Sequence, residues 1–256
     1  MSIIKNFDTI LELNLSGELA HFRKFYTNAS SLTYTIPPRT AICGLMASIL
    51  MQPRDSYYDL LKSENLGVGI SIPAESVFRR QFFTMNYVGN EKVINDVSGH
   101  KQCRLELLMP AVGGKLNWTL YLATKQGSDD LLDSLEDRIR NQNLGFDVYL
   151  GQRQFRAEIE LLRKFSKEDI SVFDKSDYLD SVVSKDQIVT LDTANFHLNI
   201  ERMPLEQILE TKGKSSYRRS VRFADVVIEA TGKRLFGEFN NLIELNNEAK
   251  TRIALL

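Results

Sequence analysis

Three histidines are the residues most able to support chemistry here, and their spacing predicts no metal site. His21, His100 and His197 stand far apart, and no histidine or cysteine pair has the short spacing typical of zinc ligands. His197 alternates with apolar neighbours, which is typical of a surface or core histidine. His21 and His100 lie in polar stretches near arginine and lysine, so an RNA contact, a general base and a solvated residue all stay open. We predict no catalytic residue, no metal and no cofactor.

Arginines and lysines are interleaved with aromatic residues in three segments, at residues 22–26, 78–83 and 217–223. Lysine and arginine outnumber aspartate and glutamate by seven to three in residues 76–125, and by seven to two in residues 212–234. Cations bind phosphates, and aromatic rings stack on unpaired bases. The alternative is that the rings face the core while the cations alternate outward. The three segments together favour binding of single-stranded RNA.

The composition is that of an ordinary globular protein. Of 256 residues, 43% are hydrophobic and 25% are charged, which excludes a disordered, collagen-like or coiled-coil chain. A net charge of −1 excludes a uniformly basic nucleic-acid binder, although a local basic groove remains possible. Two isolated cysteines, Cys43 and Cys103, are typical of a reducing compartment. With neither a signal peptide nor a membrane-spanning segment, we expect a cytoplasmic protein without membrane contact.

The pattern of apolar residues predicts an α+β fold. Residues 9–19 alternate apolar and polar types like a half-buried strand, and residues 41–50 form an apolar helix capped by Thr40. The next elements are strands at 65–72 and 117–124, a helix at 128–139 capped by Ser128, and strands at 145–151 and 157–162. This order predicts a ferredoxin-like βαββαβ domain, which is also the framework of the RNA-recognition motif.

A long segment of different character separates the second and third strands. Residues 75–109 are rich in arginine, aromatic and turn residues, so we predict an inserted β-hairpin. Residues 165–186 are polar and acidic, which is typical of a linker or a surface excursion, and strand-like segments follow. The predicted domains are therefore residues 1–163, which contain the hairpin, and a smaller β-rich subdomain at residues 164–256.

The turn before the first helix could bind an anion. Pro37 and Pro38 hold the backbone extended, because each proline disfavours the helical region in the residue before it. The free N–H groups at a helix N-terminus attract anions, and Arg39 lies beside them.

Two segments resemble a known family. The first runs from Phe22 to Leu50 and contains the Pro37-Pro38-Arg39-Thr40 turn, and the second runs from Val148 to Phe155 with Gly151 at its turn. Together they resemble the CRISPR-associated protein 5 family, and most closely the forms found in type I-B effector complexes.

The resemblance implies a fold and a function. These proteins have a ferredoxin-like domain with an inserted hairpin called the thumb, which corresponds to residues 75–109. They bind the 5′ handle of the CRISPR RNA (crRNA) in a surveillance complex named Cascade. They also cap the filament of crRNA-binding backbone subunits and contact the large subunit. We therefore expect a non-catalytic subunit whose partners are crRNA, the backbone subunits, the large subunit and, through the assembled complex, target DNA.

Three groups of residues are predicted to contact RNA. The resemblance places His21, Arg23, Lys24, Tyr26, Asn28, Ser30, Tyr34, Pro38, Arg39, Thr40, Gly151, Gln152 and Arg153 at the handle. The predicted thumb residues are Arg79, Arg80, Tyr87, His100, Lys101 and Arg104. A third, basic cluster comprises Lys212, Lys214, Tyr217, Arg218, Arg219 and Arg222.

Two alternative functions stay open. One branch of the family, in type I-C systems, cuts precursor crRNA without metal by means of a tyrosine, a lysine and a histidine. His21 with Lys24, or His100 with Lys101, could form part of such a set, which would make the chain a metal-independent endoribonuclease. The second alternative is an interaction module that binds no RNA, and it predicts no salt-dependent RNA binding.

Overall fold

The computed structural model describes residues 7–27, 31–74, 76–125, 129–213 and 215–256, and β-strands dominate this part of the chain. Its helices are α1 (Arg39–Ile49) and α2 (Asp129–Arg140). Its strands are β1 (Phe7–Gly17), β2 (Leu66–Ser71), β3 (Phe78–Tyr87), β4 (Lys101–Pro110), β5 (Leu116–Lys125), β6 (Ala157–Phe165), β7 (Ile170–Leu179), β8 (Val183–Ser184), β9 (Ile188–Leu191), β10 (Leu198–Lys212), β11 (Ser215–Glu229), β12 (Leu235–Leu245) and β13 (Arg252–Ile253). Neither described helix is long and apolar enough to cross a membrane.

The first half of the chain forms an antiparallel sheet in the order β2-β5-β1-β6. Helix α1 connects β1 to β2, and α2 connects β5 to β6. Alternate residues of β1 point to opposite faces. Leu11, Leu13 and Leu15 join the main core with residues of both helices. On the other face, Ile10 packs in a second cluster with Ile253 of β13 and residues of β12. The sheet therefore lies between the two helices on one side and strands β12 and β13 on the other.

Strands β3 and β4 form a separate two-stranded hairpin. Their pairing runs from Phe78 opposite Pro110 to Tyr87 opposite Lys101. The base is anchored by buried leucines of β4, whereas β3 is exposed beyond its first residue. Both strands fall in or next to the segment predicted to be the thumb, whose first residue, Glu75, lies outside the described residues. We call this hairpin the thumb.

Strands β10 and β11 form a second, longer hairpin, which we call the arm. Each strand has 15 residues, and β8 pairs with β11. The base of the arm belongs to the main core through Met203, Leu205 and Val226, whereas the described residues near its tip are exposed. The C-terminal strands therefore share their core with the first sheet. The remaining strands form a sheet in the order β13-β12-β7, with β9 also paired to β12.

Two of the predicted secondary-structure assignments are wrong. Residues 165–186 contain β7, which pairs along β12 and is therefore not a linker. The exposed face of β7 is largely polar, so its sequence lacks the apolar pattern of a buried strand. Residues 145–151 form turns rather than a strand, because Gly145 and Gly151 have φ angles of 64° and 86° in the left-handed region.

Helix α1 starts one residue before the predicted N-cap. Pro38 is the N-cap, and no side chain caps the helix, so Thr40 lies in the first turn instead. Proline is well suited to a helix start because its ring fixes φ and because it has no backbone N–H that would need a partner. The predicted cap of the second helix, Ser128, lies outside the described residues.

The side chain of Arg39 ties the two halves of the chain together. It is 1% exposed. Its Nε donates to Leu256 O at 3.1 Å, and Nη1 donates to Leu205 O at 2.9 Å. Nη2 donates to Leu61 O at 2.8 Å and to Leu66 O at 2.6 Å. Arg39 was predicted to contact RNA; in this structure its guanidinium lies inside the protein and donates to four backbone carbonyls.

Replacing Arg39 with alanine should destabilise the fold strongly, because four buried carbonyls lose their donor at once. An unsatisfied buried group costs about 1–3 kcal/mol, so we expect urea denaturation to show a loss of at least about 3 kcal/mol. The matched control is Arg140→Ala, which removes an exposed guanidinium paired with Glu136 one turn away. It should change the unfolding free energy by less than about 0.5 kcal/mol. Equal effects of the two substitutions would contradict this role of Arg39.

Candidate nucleic-acid interface

The segment after β1 pairs with residues 31–34, and this pairing decides which side chains reach solvent. Lys24 N donates to Leu32 O at 2.9 Å, and Arg23 forms a β-bridge with Thr33. Successive side chains of a strand-like segment point to opposite sides. Phe22 and Lys24 are therefore buried, whereas Arg23 is exposed.

Two exposed aromatic rings follow Arg23 and pack against a half-buried ring on the arm, Phe223. Phe25 and Tyr26 are 45% and 53% exposed. The Phe25 ring lies 5.2 Å from the Tyr26 ring and 4.8 Å from the Phe223 ring, between centroids. The Arg202 guanidinium lies 5.8 Å from the Phe223 centroid. We call Arg23, Phe25, Tyr26, Arg202 and Phe223 the aromatic patch; its rings can stack on unpaired bases and its guanidinium groups can bind phosphates.

His21 is a buried structural residue in this arrangement. It is 1% exposed, and its Nδ1 donates to Glu106 O at 2.7 Å. Its Nε2 lies 2.9 Å from Ser31 Oγ, which donates to it in that tautomer. Burial lowers the pKa of His21, although the hydrogen bond to Glu106 opposes this effect. His21 was predicted to contact RNA; in this structure both of its ring nitrogens have partners inside the protein.

A buried carboxylate, Glu201, binds two of the predicted RNA-contacting cations. Lys24 Nζ lies 2.8 Å from Glu201 Oε2, and Arg80 Nη2 lies 2.6 Å from Oε1. Arg80 also donates to the Thr35 hydroxyl. Glu201 is 5% exposed, so its charge requires these partners. We call these four residues the Glu201 network; it joins the thumb, the segment after β1 and the arm.

Three further residues of the predicted handle site belong to the fold. Tyr34 is fully buried and its hydroxyl donates to Arg202 O at 2.7 Å. Burial raises the pKa of Tyr34 above its usual range. Pro38 is buried, and Thr40 is half-buried in the first turn of α1. Tyr34 and Pro38 were also predicted to contact RNA; in this structure both residues are buried.

The thumb exposes most of its predicted site residues. Arg79, Tyr87, Lys101 and Arg104 are exposed, and Tyr87 stands opposite Lys101 near the end of the paired region. His100 is partly exposed and its Nε2 lies 3.0 Å from a backbone carbonyl in the same hairpin. The thumb therefore carries cations and aromatic rings away from the core.

The turn at Gly151 packs directly on the segment after β1. Gly151 has a φ of 86°, and a Cβ there would lie 2.0 Å from His21 O. Only glycine fits such a backbone approach. Next to it, Gln152 is half-buried, and Arg153 is exposed with its Nε 3.7 Å from Asp147. The two segments that carry the family resemblance are thus in contact.

The arginines of the predicted basic cluster are paired with carboxylates. The pairs and their N–O distances are Arg218–Asp55 (2.6 Å), Arg219–Glu210 (2.6 Å) and Arg222–Glu206 (3.3 Å). Lys212 and Tyr217 are exposed on the arm. The sequence did not reveal these acidic partners because Asp55 lies far away in the chain, and Glu206 and Glu210 lie across the strand pair on β10. Three predicted site residues, Asn28, Ser30 and Lys214, lie outside the described residues.

Family comparison identifies the chain. The family model described as CRISPR-associated protein (Cas_Cas5) matches residues 10–232. The chain belongs to the CRISPR-associated protein 5 family. No curated protein matches this family member in sequence.

Solved structures show how far the fold of this family member is shared. A chain of the type III-B Cmr-beta complex, solved with cognate target RNA and AMPPnP, has a TM-score of 0.51 at 12% identity, covering 88% of this chain and 86% of that chain. A CRISPR protein from Archaeoglobus fulgidus has a TM-score of 0.47 at 10% identity, covering 98% and 100%. A further Cas protein has a TM-score of 0.36 at 19% identity. That match covers 56% of this chain and only 57% of the other.

Several residues that shape this surface gave no sequence signal as site residues. Arg202 and Glu201 are neighbours on β10 that point to opposite sides, one to the aromatic patch and one to the Glu201 network. The sequence of a strand shows which positions alternate between exposed and buried. It does not show which residues elsewhere in the fold those positions contact. Among the described residues, no group of three or more histidines, cysteines or acids could hold a metal ion.

The buried His21 should make the stability of this family member depend on pH. Burial lowers the folded-state pKa below the ordinary value of 6.5, so the unfolded chain binds more protons near and below that pH. The stability that depends on a neutral, buried His21 is therefore present above pH 6.5 and is lost as the pH falls. We expect thermal unfolding to show a smaller loss of stability on acidification for His21→Gln than for the wild type. His197→Gln, which changes an exposed histidine, should keep the wild-type slope.

Replacing Glu201 with glutamine should loosen the base of the thumb. Glutamine has a similar shape but leaves the buried Lys24 ammonium without its counter-charge. Breaking a buried ion pair on one side costs about 3–5 kcal/mol. We expect a lower unfolding free energy and faster hydrogen exchange of β3 and β4 amides. Glu210→Gln breaks an exposed pair with Arg219 and serves as the control; thumb exchange that rises equally in both variants would argue against the network.

Proposed function

We propose that this chain is a non-catalytic subunit of a type I CRISPR surveillance complex, Cascade, of the type I-B form. In this proposal it binds the single-stranded 5′ handle of crRNA. The observation that carries the proposal is the aromatic patch, an exposed group of rings and guanidinium groups on a member of the CRISPR-associated protein 5 family. We interpret the sheet order β2-β5-β1-β6, with α1 and α2 as connections, as a ferredoxin-like arrangement.

Recognition would rely on stacking combined with phosphate contacts. Phe25 and Tyr26 offer faces to unstacked bases, and Arg23 stands beside them in solvent. Proteins that read single-stranded RNA use this combination, because unpaired bases expose their faces and edges. The structure of similar fold from the type III-B Cmr-beta complex was solved with RNA, which is consistent with an RNA-binding role.

The environment of His21 supports a non-catalytic role. A general base needs a free lone pair close to the 2′-OH that it deprotonates. In the tautomer that donates to Glu106 O, the lone pair of His21 Nε2 accepts from Ser31. A metal-independent endoribonuclease remains the alternative outcome of the RNA experiment below, with His100 and Lys101 as its first candidates.

The thumb would serve assembly with partner subunits. Its exposed apolar side chains include Phe82, Met85 and Tyr87, at 54%, 49% and 65% exposure. Exposed apolar groups of this kind are typical of protein–protein contacts. We propose that the thumb caps the filament of backbone subunits and that the chain also contacts the large subunit. Target DNA would be reached through the assembled complex in the cytoplasm, and we propose no membrane partner.

Tyr26→Ala should weaken RNA binding without loss of the fold. The test incubates the purified chain with a labelled single-stranded repeat RNA in EDTA and reads native and denaturing gels. We expect a mobility shift without cleavage. Loss of one stacking ring should reduce affinity by about 1–3 kcal/mol, and Tyr26→Phe should recover most of it.

Phe236→Ala is the matched control for this test, because it removes an equally exposed ring on β12. It should bind RNA like the wild type. A defined cut in EDTA would instead identify a processing enzyme. Absence of any salt-dependent shift would favour an interaction module that binds no RNA.

A further inference from the structure

A cleft runs beside α1 on the same side as the Gly151 turn. Its volume is about 410 Å³, within the range of ligand sites. Its walls come from α1, the residues that follow α1, the turn at residues 146–151 and the arm. Leu15, Phe22 and Leu150 are buried and form an apolar floor. We call this space the α1 cleft; three of the predicted site residues, Thr40, Gly151 and Arg218, line it.

Gly44 leaves the middle of the α1 wall without a side chain. Alanine at an interior helix position is favoured over glycine by about 1 kcal/mol. Alanine would also fit at this position, because a Cβ would meet only the Tyr57 hydroxyl, at an ordinary distance of 3.4 Å. The chain therefore keeps a helix-weakening residue at a position where its small size enlarges the cleft.

Aromatic rings line the opening of the α1 cleft. Phe146 and Tyr149 are 57% and 39% exposed, and Tyr57 is half-buried beside Gly44. An apolar floor below three rings suits a flat, weakly polar group. The hydroxyl of Ser48 and the amide of Gln207 also line the cleft and can bond to the edge of such a group.

The charges at the opening suit an anion. Arg54 and Arg218 both line the cleft, and the acidic lining residue Asp147 is paired with Arg156 at 2.5 Å. Arg218 Nε is held 2.6 Å from Asp55 Oδ1, and Asp55 also accepts from the Tyr58 hydroxyl at 2.5 Å. The ion pair with Asp55 engages the Nε of Arg218 and thereby holds the guanidinium at the cleft. An apolar side chain from a partner protein would need no cation here, whereas a phosphate would.

We propose that the α1 cleft holds one unstacked nucleotide of the bound RNA strand, with its base above Gly44 against Tyr57 and Phe146, and its phosphate at Arg218. This inference rests on the proposed RNA-binding function and adds a subsite that is separate from the aromatic patch. The two surfaces are continuous, because Gly151 lines the cleft and packs on His21 at the start of the segment that carries the patch.

Gly44→Leu tests the subsite, because leucine strengthens the helix and fills the cleft. The probe is a fluorescein-labelled single-stranded repeat RNA, with affinity read by fluorescence anisotropy and contacts mapped by ultraviolet crosslinking and mass spectrometry. We expect wild-type crosslinks at Tyr57 or Phe146. Gly44→Leu should lose them, bind RNA at least ten-fold more weakly and keep crosslinks at Tyr26. Gly44→Ala should give an intermediate affinity.

Further variants keep the test decisive. Thermal unfolding establishes whether Gly44→Leu folds; if it does not, Phe146→Ala, which changes an exposed ring, should lower RNA affinity about five-fold by the loss of one stacking contact. Arg218→Gln should also weaken the salt dependence of binding. Phe236→Ala, on β12, should match the wild type in both readouts.

Two results would overturn the subsite and leave the proposed function standing. One is a wild-type chain that binds RNA through Tyr26 but shows no crosslink in the cleft. The other is a folded Gly44→Leu variant with wild-type RNA affinity, and loss of assembly with partner subunits in that variant would assign the cleft to a protein side chain. If the wild type binds no RNA, the proposed function and the subsite both fail.

Discussion

The buried Arg39 guanidinium determines how α1, the arm, the start of β2 and the end of the chain meet. Its four acceptors are carbonyls at irregular points of the backbone. Leu205 lies at a bulge in the β10–β11 pairing, and Leu61 and Leu66 bracket the turn before β2. Strand pairing leaves such groups without partners, and an unpaired buried carbonyl is costly. A planar donor with five N–H groups satisfies them from one position, which fixes α1 against the arm.

Buried carboxylates play the corresponding role for the segment that carries the aromatic patch. Glu106 of β4 accepts from Thr33 N at 2.8 Å, and its backbone carbonyl accepts from His21. Glu201 of β10 binds Lys24 and Arg80. The segment is irregular, yet acids from the thumb and from the arm hold it on both sides. The placement of the patch therefore depends on the two hairpins that flank it, through these acids and through the β-bridge between Ser31 and Leu105 of β4.

The sequence revealed local order well and long-range partners poorly. The alternation in residues 9–19 located β1, and the apolar run after Pro38 located α1, because both signals are local. Arg39 was predicted to bind RNA since a cation beside a helix N-terminus resembles an anion site. Its true acceptors, such as Leu205 and Leu256, are distant in sequence and carry no marker of this role. The same reason explains why Glu201 escaped notice. Arg23 and Tyr26, which the family resemblance singled out, are both exposed.

The internal pairing of cations bears on how a chain of nearly zero net charge could select single-stranded RNA. Lys24, Arg80 and Arg218 are each held by a carboxylate, so a phosphate must compete with that carboxylate or share its cation. A nucleic acid that offers only its phosphates, such as a duplex, gains little binding free energy from such a surface. A strand with unstacked bases also gains ring contacts, which the paired carboxylates do not oppose. In the proposed function, selectivity for single strands would thus arise from rings that are exposed while most of the neighbouring charge is already neutralised.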